Sequence, residues 1–184
     1  MHSYPLQHIL FLDIETVPLY QNYDAVPEEW KELWNTKSNF LLKNETEITA
    51  ADIYNRAGIY AEFGKIICIS CGVIQIVNQQ EKKIILKSFF GDDEKELLIE
   101  FCNMLTKWSA NKKDSFLCAH NGKEFDYPYI CRKLIIHHIP IPTILNISGK
   151  KPWEINHLDT MELWKFGDYK NYTSLNLLAH ALGI

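Results

Sequence analysis

Two short acidic clusters hold the residues whose types and spacing could do chemistry. The first is FLDIETV (11–17), where Asp13 and Glu15 close an apolar run with one residue between them. If the strand that begins at Ile9 continues through Glu15, both side chains lie on one face, with Cα atoms roughly 6.5 Å apart. Two carboxylates so placed can reach a pair of metal ions about 3.5–4 Å apart. Taken alone, a D-x-E pattern equally describes a polar strand end facing water. The second cluster is CAHNGKEFDYP (118–128). Here Asn121-Gly122 is a turn pair, and Asp126 with Pro128 behind it forms a good helix start. Capping and metal ligation are compatible in one carboxylate. Asp13, Glu15 and Asp126 are expected to converge at adjacent strand ends, where three acids without a cation would repel one another and take up protons more readily. Mg²⁺ relieves that repulsion, because it prefers oxygen ligands and keeps several waters.

The elements that must position these residues follow from hydrophobic patterning. Ile9–Leu12 reads as a central strand. Residues 18–62 read as a helical insertion, with one helix opening at Pro27 (PEEWKELW) and a second from Thr49 to about Tyr60, with Ile53 and Ala57 inward. Lys65–Val77 and Lys83–Phe90 form a hairpin around the polar turn 78–81. Asp92 or Asp93 caps a helix reaching Trp108, on which Leu97, Leu98, Phe101 and Leu105 follow helical spacing. Phe116–Ala119 is a fourth strand, Pro128–His138 a helix, Ile155–Asp159 a fifth strand, and short helices follow Thr160 and Ser174. The fold class is α/β, one domain over 1–184, with a partly antiparallel sheet of five strands flanked by helices.

Composition narrows the function. The 184 residues carry a net charge of −4 and two arginines, Arg56 and Arg132, which excludes a protein that wraps duplex DNA by neutralising many phosphates. Any nucleic-acid role therefore rests on a local site. Five cysteines without a framework point to a reducing cytoplasm. Cys68 and Cys71 fall on opposite faces of a strand and read as core thiols. No apolar run approaches the ~20 residues that span a bilayer. Glycosylation-type triplets begin at Asn44, Asn146 and Asn171, and without a secretory route they read as chance matches.

FLDIETV resembles the first motif of the DEDD 3′–5′ exonucleases, and HNGKEFDYP resembles their second. The three residues between Asn121 and Phe125 resemble the spacing in proofreading domains of family-B DNA polymerases. The tail INHLDTMELWKFGDYKNYTSLNLLAHALGI resembles a stand-alone predicted exonuclease family related to those domains. The resemblance implies a ribonuclease H-like fold and metal-dependent 3′–5′ exonuclease activity with two Mg²⁺ or Mn²⁺ ions. It implies a nucleic-acid 3′ end as substrate, single-stranded DNA rather than RNA. It makes Asp13, Glu15 and Asp126 metal ligands and catalytic residues, and puts Thr16, Asn121 and Phe125 at the substrate. Asp159 follows as a residue behind the ligands or a helix cap. Arg132 would meet a phosphate or an acid, and His120 is a structural hydrogen-bonding group. The fourth acid of that family, with its Tyr or His base, has no counterpart here, so the chain is expected to be truncated relative to the family, or to lack the motif, and to be weak or inactive. The Tyr20/Asp24 match lies on the wrong element. The rival expectation is a non-catalytic module that holds nucleic-acid ends or a protein partner.

Overall fold

The computed structural model describes residues 4–43, 47–78, 81–110, 114–151, 154–168, 170 and 172–184. Asn44, Asn171 and the middle of the 78–81 turn lie outside them. Five strands form one mixed sheet: β1 (Ile9–Pro18), β2 (Gly64–Ile76), β3 (Lys82–Phe90), β4 (Phe116–Ala119) and β5 (His157–Asp159), in spatial order β3-β2-β1-β4-β5. The hairpin β2–β3 and the pair β1–β2 are antiparallel, whereas β1–β4 and β4–β5 are parallel. The helices are α1 (Glu28–Leu41), α2 (Glu94–Ala110), α3 (Asp126–Ile136), α4 (Thr160–Lys165) and α5 (Leu175–Leu182). Among the described residues, no helix is long and apolar enough to cross a membrane.

β1 extends well past Leu12 and carries Asp13 and Glu15 within it. Its alternation is sharp: Leu10, Leu12 and Ile14 are buried, while Asp13 and Glu15 are exposed. The buried set joins Leu97, Leu98, Phe101 and Leu105 of α2 and Tyr127, Ile130 and Leu134 of α3 in one core. Two helices, α2 and α3, thus cover one sheet face. Asp93 accepts from the Lys95 and Glu96 amides and starts α2, satisfying donors that a helix N-terminus leaves free.

The insertion builds its own small core around Trp34, which is fully buried among Val26, Ile53, Tyr54 and Ala57. The helix expected over Thr49–Tyr60 is replaced by a turn and a 3₁₀ helix, Tyr54–Ile59, although Ile53 and Ala57 do face inward. Two local interactions account for the difference. Asp52 accepts from both the amide and hydroxyl of Thr49, closing a tight turn. Gly58 presses so close to β1 that a Cβ would stand 2.9 Å from the Val17 carbonyl carbon. Close packing on β1 therefore outweighs the helical pattern.

A buried charge cluster joins these parts. Lys133 of α3, 2% exposed, donates to the Gly64 carbonyl at 2.9 Å and lies 2.9 Å from the Glu94 carboxylate. Glu94 also accepts from the Ile66 amide at 2.6 Å and pairs with His137 at 2.7 Å. One ammonium and one carboxylate thereby tie α2, α3 and the start of β2 together. Removing one partner of such a pair leaves an uncompensated buried charge. Lys133→Met is accordingly expected to lower stability by about 3–5 kcal/mol, read from the urea midpoint at neutral pH.

Candidate functional site

The C-terminal ends of the parallel strands β1, β4 and β5 meet where ligands gather in open α/β sheets. Pairing between β1 and β4 stops at Phe11–Cys118, so β1 runs on without a strand neighbour on that side. Asp126, the first residue of α3, fills the gap: its Oδ1 accepts from the Ile14 amide at 3.1 Å. This places Asp126 at 2% exposure beside the strand that carries Asp13. Burial pushes the Asp126 carboxyl up to about 7, the charge on Asp13 pushes in the same direction, and the Ile14 amide opposes both. Asp13 keeps contact with solvent, yet partial desolvation raises its carboxyl too, with His120 opposing. Asp13 also lines a cavity of about 360 Å³ on the open sheet face, together with Phe11, Ser70, Leu86, His120 and Leu175.

Asp13 and Asp126 are therefore brought together across 113 positions of sequence (126 − 13). Glu15 shares the exposed face with Asp13, as the strand alternation demands. A register irregularity falls between Glu15, opposite Cys68, and Thr16, opposite Ile66. Such bulges re-aim side chains and are frequent beside functional sites. Among the described residues no group of three His, Cys, Asp or Glu side chains stands close enough to hold a metal ion. The donors that do converge form a carboxylate pair, all oxygen, of the kind that suits a hard divalent cation retaining most of its waters.

The loop between β4 and α3 is held by Asp159. Its carboxylate accepts from the Asn121 and Lys123 amides at 2.9 and 3.1 Å and from the Met161 amide at 2.9 Å, capping α4. Asn121 adopts a left-handed conformation with φ of 61°, which asparagine tolerates better than most residues. Its side-chain oxygen is buried without a hydrogen-bond partner among the described residues. Gly122 follows because any Cβ there would collide with Ala119. The Phe125 amide then bonds back to the Asn121 carbonyl at 3.0 Å, so their spacing closes one turn before α3.

Thr16 and Phe125 converge on a residue that the sequence did not single out. The Tyr129 hydroxyl donates to the Gly58 carbonyl at 3.0 Å and hydrogen-bonds the Thr16 side chain, and the Phe125 ring lies 5.5 Å from the Tyr129 ring. The only sequence signal was its place one turn into α3, which marks a buried helix face but no particular partner. His120 bridges Thr160 and the Thr173 carbonyl at 2.9 and 2.8 Å, so Nε2 carries a proton and the ring ties the lead of α5 to the end of β4. Arg132 points away from this cluster, as an exposed residue on the outer side of α3.

This arrangement is a ribonuclease H-like α/β fold, with a carboxylate pair at the strand ends and a helix-flanked mixed sheet. The structure of the family B DNA polymerase from the hyperthermophilic archaeon Pyrobaculum calidifontis is similar, with a TM-score of 0.51 and 11% sequence identity, covering 98% of this chain and 19% of that one. The chain thus spans about a fifth of that polymerase, and the likeness is one of fold. No protein-family model matches the chain, and no curated protein matches its sequence.

The raised Asp126 carboxyl has a consequence for stability. A carboxyl whose folded pKa exceeds its unfolded value favours the folded state fully below the unfolded value, near 3.8, and this contribution is lost as pH rises through about 7. Asp126→Asn keeps an oxygen for the Ile14 amide and cannot ionise. Its melting temperature relative to the unsubstituted chain is expected to climb between pH 4 and pH 7 and to level off above. Parallel melting curves across that range would show the carboxyl to be unperturbed.

Proposed function

We propose that the chain is a metal-dependent 3′–5′ exonuclease domain, of DEDD type, that hydrolyses phosphodiester bonds at the 3′ end of single-stranded DNA. The observation that carries this reading is the approach of Asp13 to Asp126 at the end of β1, close enough for the charge of one to raise the proton affinity of the other. Two carboxylates driven together without mutual hydrogen bonding destabilise the empty site, and a divalent cation offsets that repulsion. Asp13 and Asp126 would hold the ion, Asp126 through the oxygen not committed to Ile14. Such an ion, Mg²⁺ or Mn²⁺, supplies electrophilic stabilisation of the charge that builds on the scissile phosphate.

The chain's own residues do the rest. Glu15, on the same face of β1, is available to a second ion or to an incoming water. Thr16, backed by Tyr129, and Phe125, tilted against the same ring, would form the wall on which a terminal nucleotide rests. Asn121, whose side-chain oxygen is buried without a partner among the described residues, lies in the loop at the same end of the sheet. Asp159 acts at one remove, holding the Asn121 and Lys123 amides so that the loop before Asp126 keeps its shape. A site with one convergent pair supports one ion better than two, so turnover is expected to be slow.

One observation favours the second reading, a non-catalytic module that holds nucleic-acid ends or a protein partner: no three ligands cluster among the described residues. Incubation of a 3′-labelled single strand with Mg²⁺ or Mn²⁺ separates the two. Release of labelled mononucleotide is expected, falling by at least about 10²-fold in Asp13→Ala, a substitution at an exposed position that leaves the core intact. Turnover that survives Asp13→Ala would refute the proposal. Binding of the strand without any release favours the module.

A further inference from the structure

The outward face of α3 and the segment 139–148 enclose a groove of about 440 Å³ that the carboxylate site does not use. Its floor is apolar, formed by the accessible side chains of Cys131, Ile135, Ile141 and Ile147 with Tyr127 and Leu145 buried behind them, and its rim carries Lys123 and Arg132. The walls are fixed. The Leu145 amide bonds the Pro142 carbonyl at 2.9 Å, the Cys131 thiol approaches the Leu145 carbonyl at 3.6 Å, and the Tyr127 hydroxyl reaches the Leu158 carbonyl at 3.3 Å. The groove is therefore preformed, as ligand sites of this volume usually are.

Its charge stands against that of the chain. The protein is net acidic, with a formal charge of −4, yet no carboxylate lines this groove. Lys123 shares its charge with Glu162 at 2.6 Å. Arg132 is different: it is exposed and makes no ion pair or hydrogen bond to another described residue. A guanidinium with its donor fork unengaged, over an apolar floor, matches one flat apolar unit joined to one anion that can accept two parallel hydrogen bonds. A nucleobase with its phosphate has that form.

We infer that this groove binds an internal nucleotide of the strand whose 3′ end lies at Asp13 and Asp126, with its phosphate on Arg132 and its base against Ile135 and Ile141. The inference rests on the proposed exonuclease reading and extends it to a second contact point. Arg132 lies six residues beyond Asp126 on the same helix, about 9 Å along the axis at ~1.5 Å per residue. A single rigid element thus sets the span between the two contacts. Packing against aliphatic side chains reads no hydrogen-bonding edge of a base, so the groove would add affinity without sequence preference.

The test measures fluorescence anisotropy of a labelled oligothymidylate against salt, in EDTA so that the strand is not consumed. Arg132→Ala is expected to weaken binding by about threefold to tenfold, and loss of one phosphate contact to flatten the log–log salt slope by about 0.7. Ile135→Glu, at a side chain 62% exposed and so free of the core, is expected to weaken binding similarly by filling the groove with an acid. Cleavage of a dinucleotide, too short to reach Arg132, is expected to be unchanged in both variants. Oligonucleotide affinity and slope in Arg132→Ala equal to those of the unsubstituted chain would overturn the groove alone. Absence of oligonucleotide binding by the unsubstituted chain both in EDTA and with Mg²⁺ would overturn the exonuclease reading with it. Displacement of the strand by polyglutamate, lost in Arg132→Ala, would assign the groove to an acidic protein partner instead.

Discussion

A single hydrogen bond, from the Ile14 amide to the Asp126 carboxylate, organises the site. It exists because β1 outruns β4: past Phe11 the strand has no neighbour on that side, and its inward amide must still find an acceptor. Asp126 supplies one from 112 positions away in sequence. The same bond carries the carboxylate into the protein and brings it beside Asp13. Burial, Coulombic repulsion and hydrogen bonding then act on one side chain at once, and burial with repulsion prevail, since its carboxyl ends near 7. An acid kept in this condition holds a proton more tightly than a free carboxyl.

The bond holds only if α3 cannot slide or turn. Three further contacts on that helix prevent it. Tyr129, one turn along, grips the Gly58 carbonyl, and Lys133, two turns along, grips the Gly64 carbonyl while pairing with Glu94. Both anchors bear on the segments where the helical insertion leaves and rejoins the sheet, so the insertion is mounted on the helix that carries Asp126. Burying an ion pair costs desolvation that its own attraction barely offsets, which makes the pair a poor source of stability and a good source of positional definition. Here it satisfies one carboxylate, one ammonium and an amide together.

The two faces of the sheet differ in what they present. The face of Leu10, Leu12 and Ile14 is sealed by α2 and α3. The face of Asp13 and Glu15 continues across Ser70 and Ser88 to exposed Ile84, Leu86 and Phe90 on the edge strand β3. That asymmetry follows from a side-chain period of two, because one register lines the core while the alternate register must meet water or a ligand. The Asp13–Asp126 pair lies where the open face meets the ends of the parallel strands.

Much of this was legible in the order of residues. Strand alternation put Asp13 and Glu15 on one face, turn chemistry marked Asn121-Gly122, and capping chemistry marked Asp92 or Asp93 and Ser174 as helix starts, of which Asp93 and Ser174 cap through neighbours within a few positions. The insertion's second helix was misjudged because its pattern is helical while its packing is not: Gly58 lies against β1, and that contact is invisible locally. Tyr129, Lys133 and Glu94 carried no local signal of their partners, since only the return of distant segments makes each an anchor. Pairing of Asp13 with Asp126, and the raised proton affinity that follows, required two segments to meet across a truncated strand edge. Local sequence dictates which way a side chain points, because backbone geometry has a short period. What it points at depends on which remote segments fold against it, and only the tertiary structure decides that.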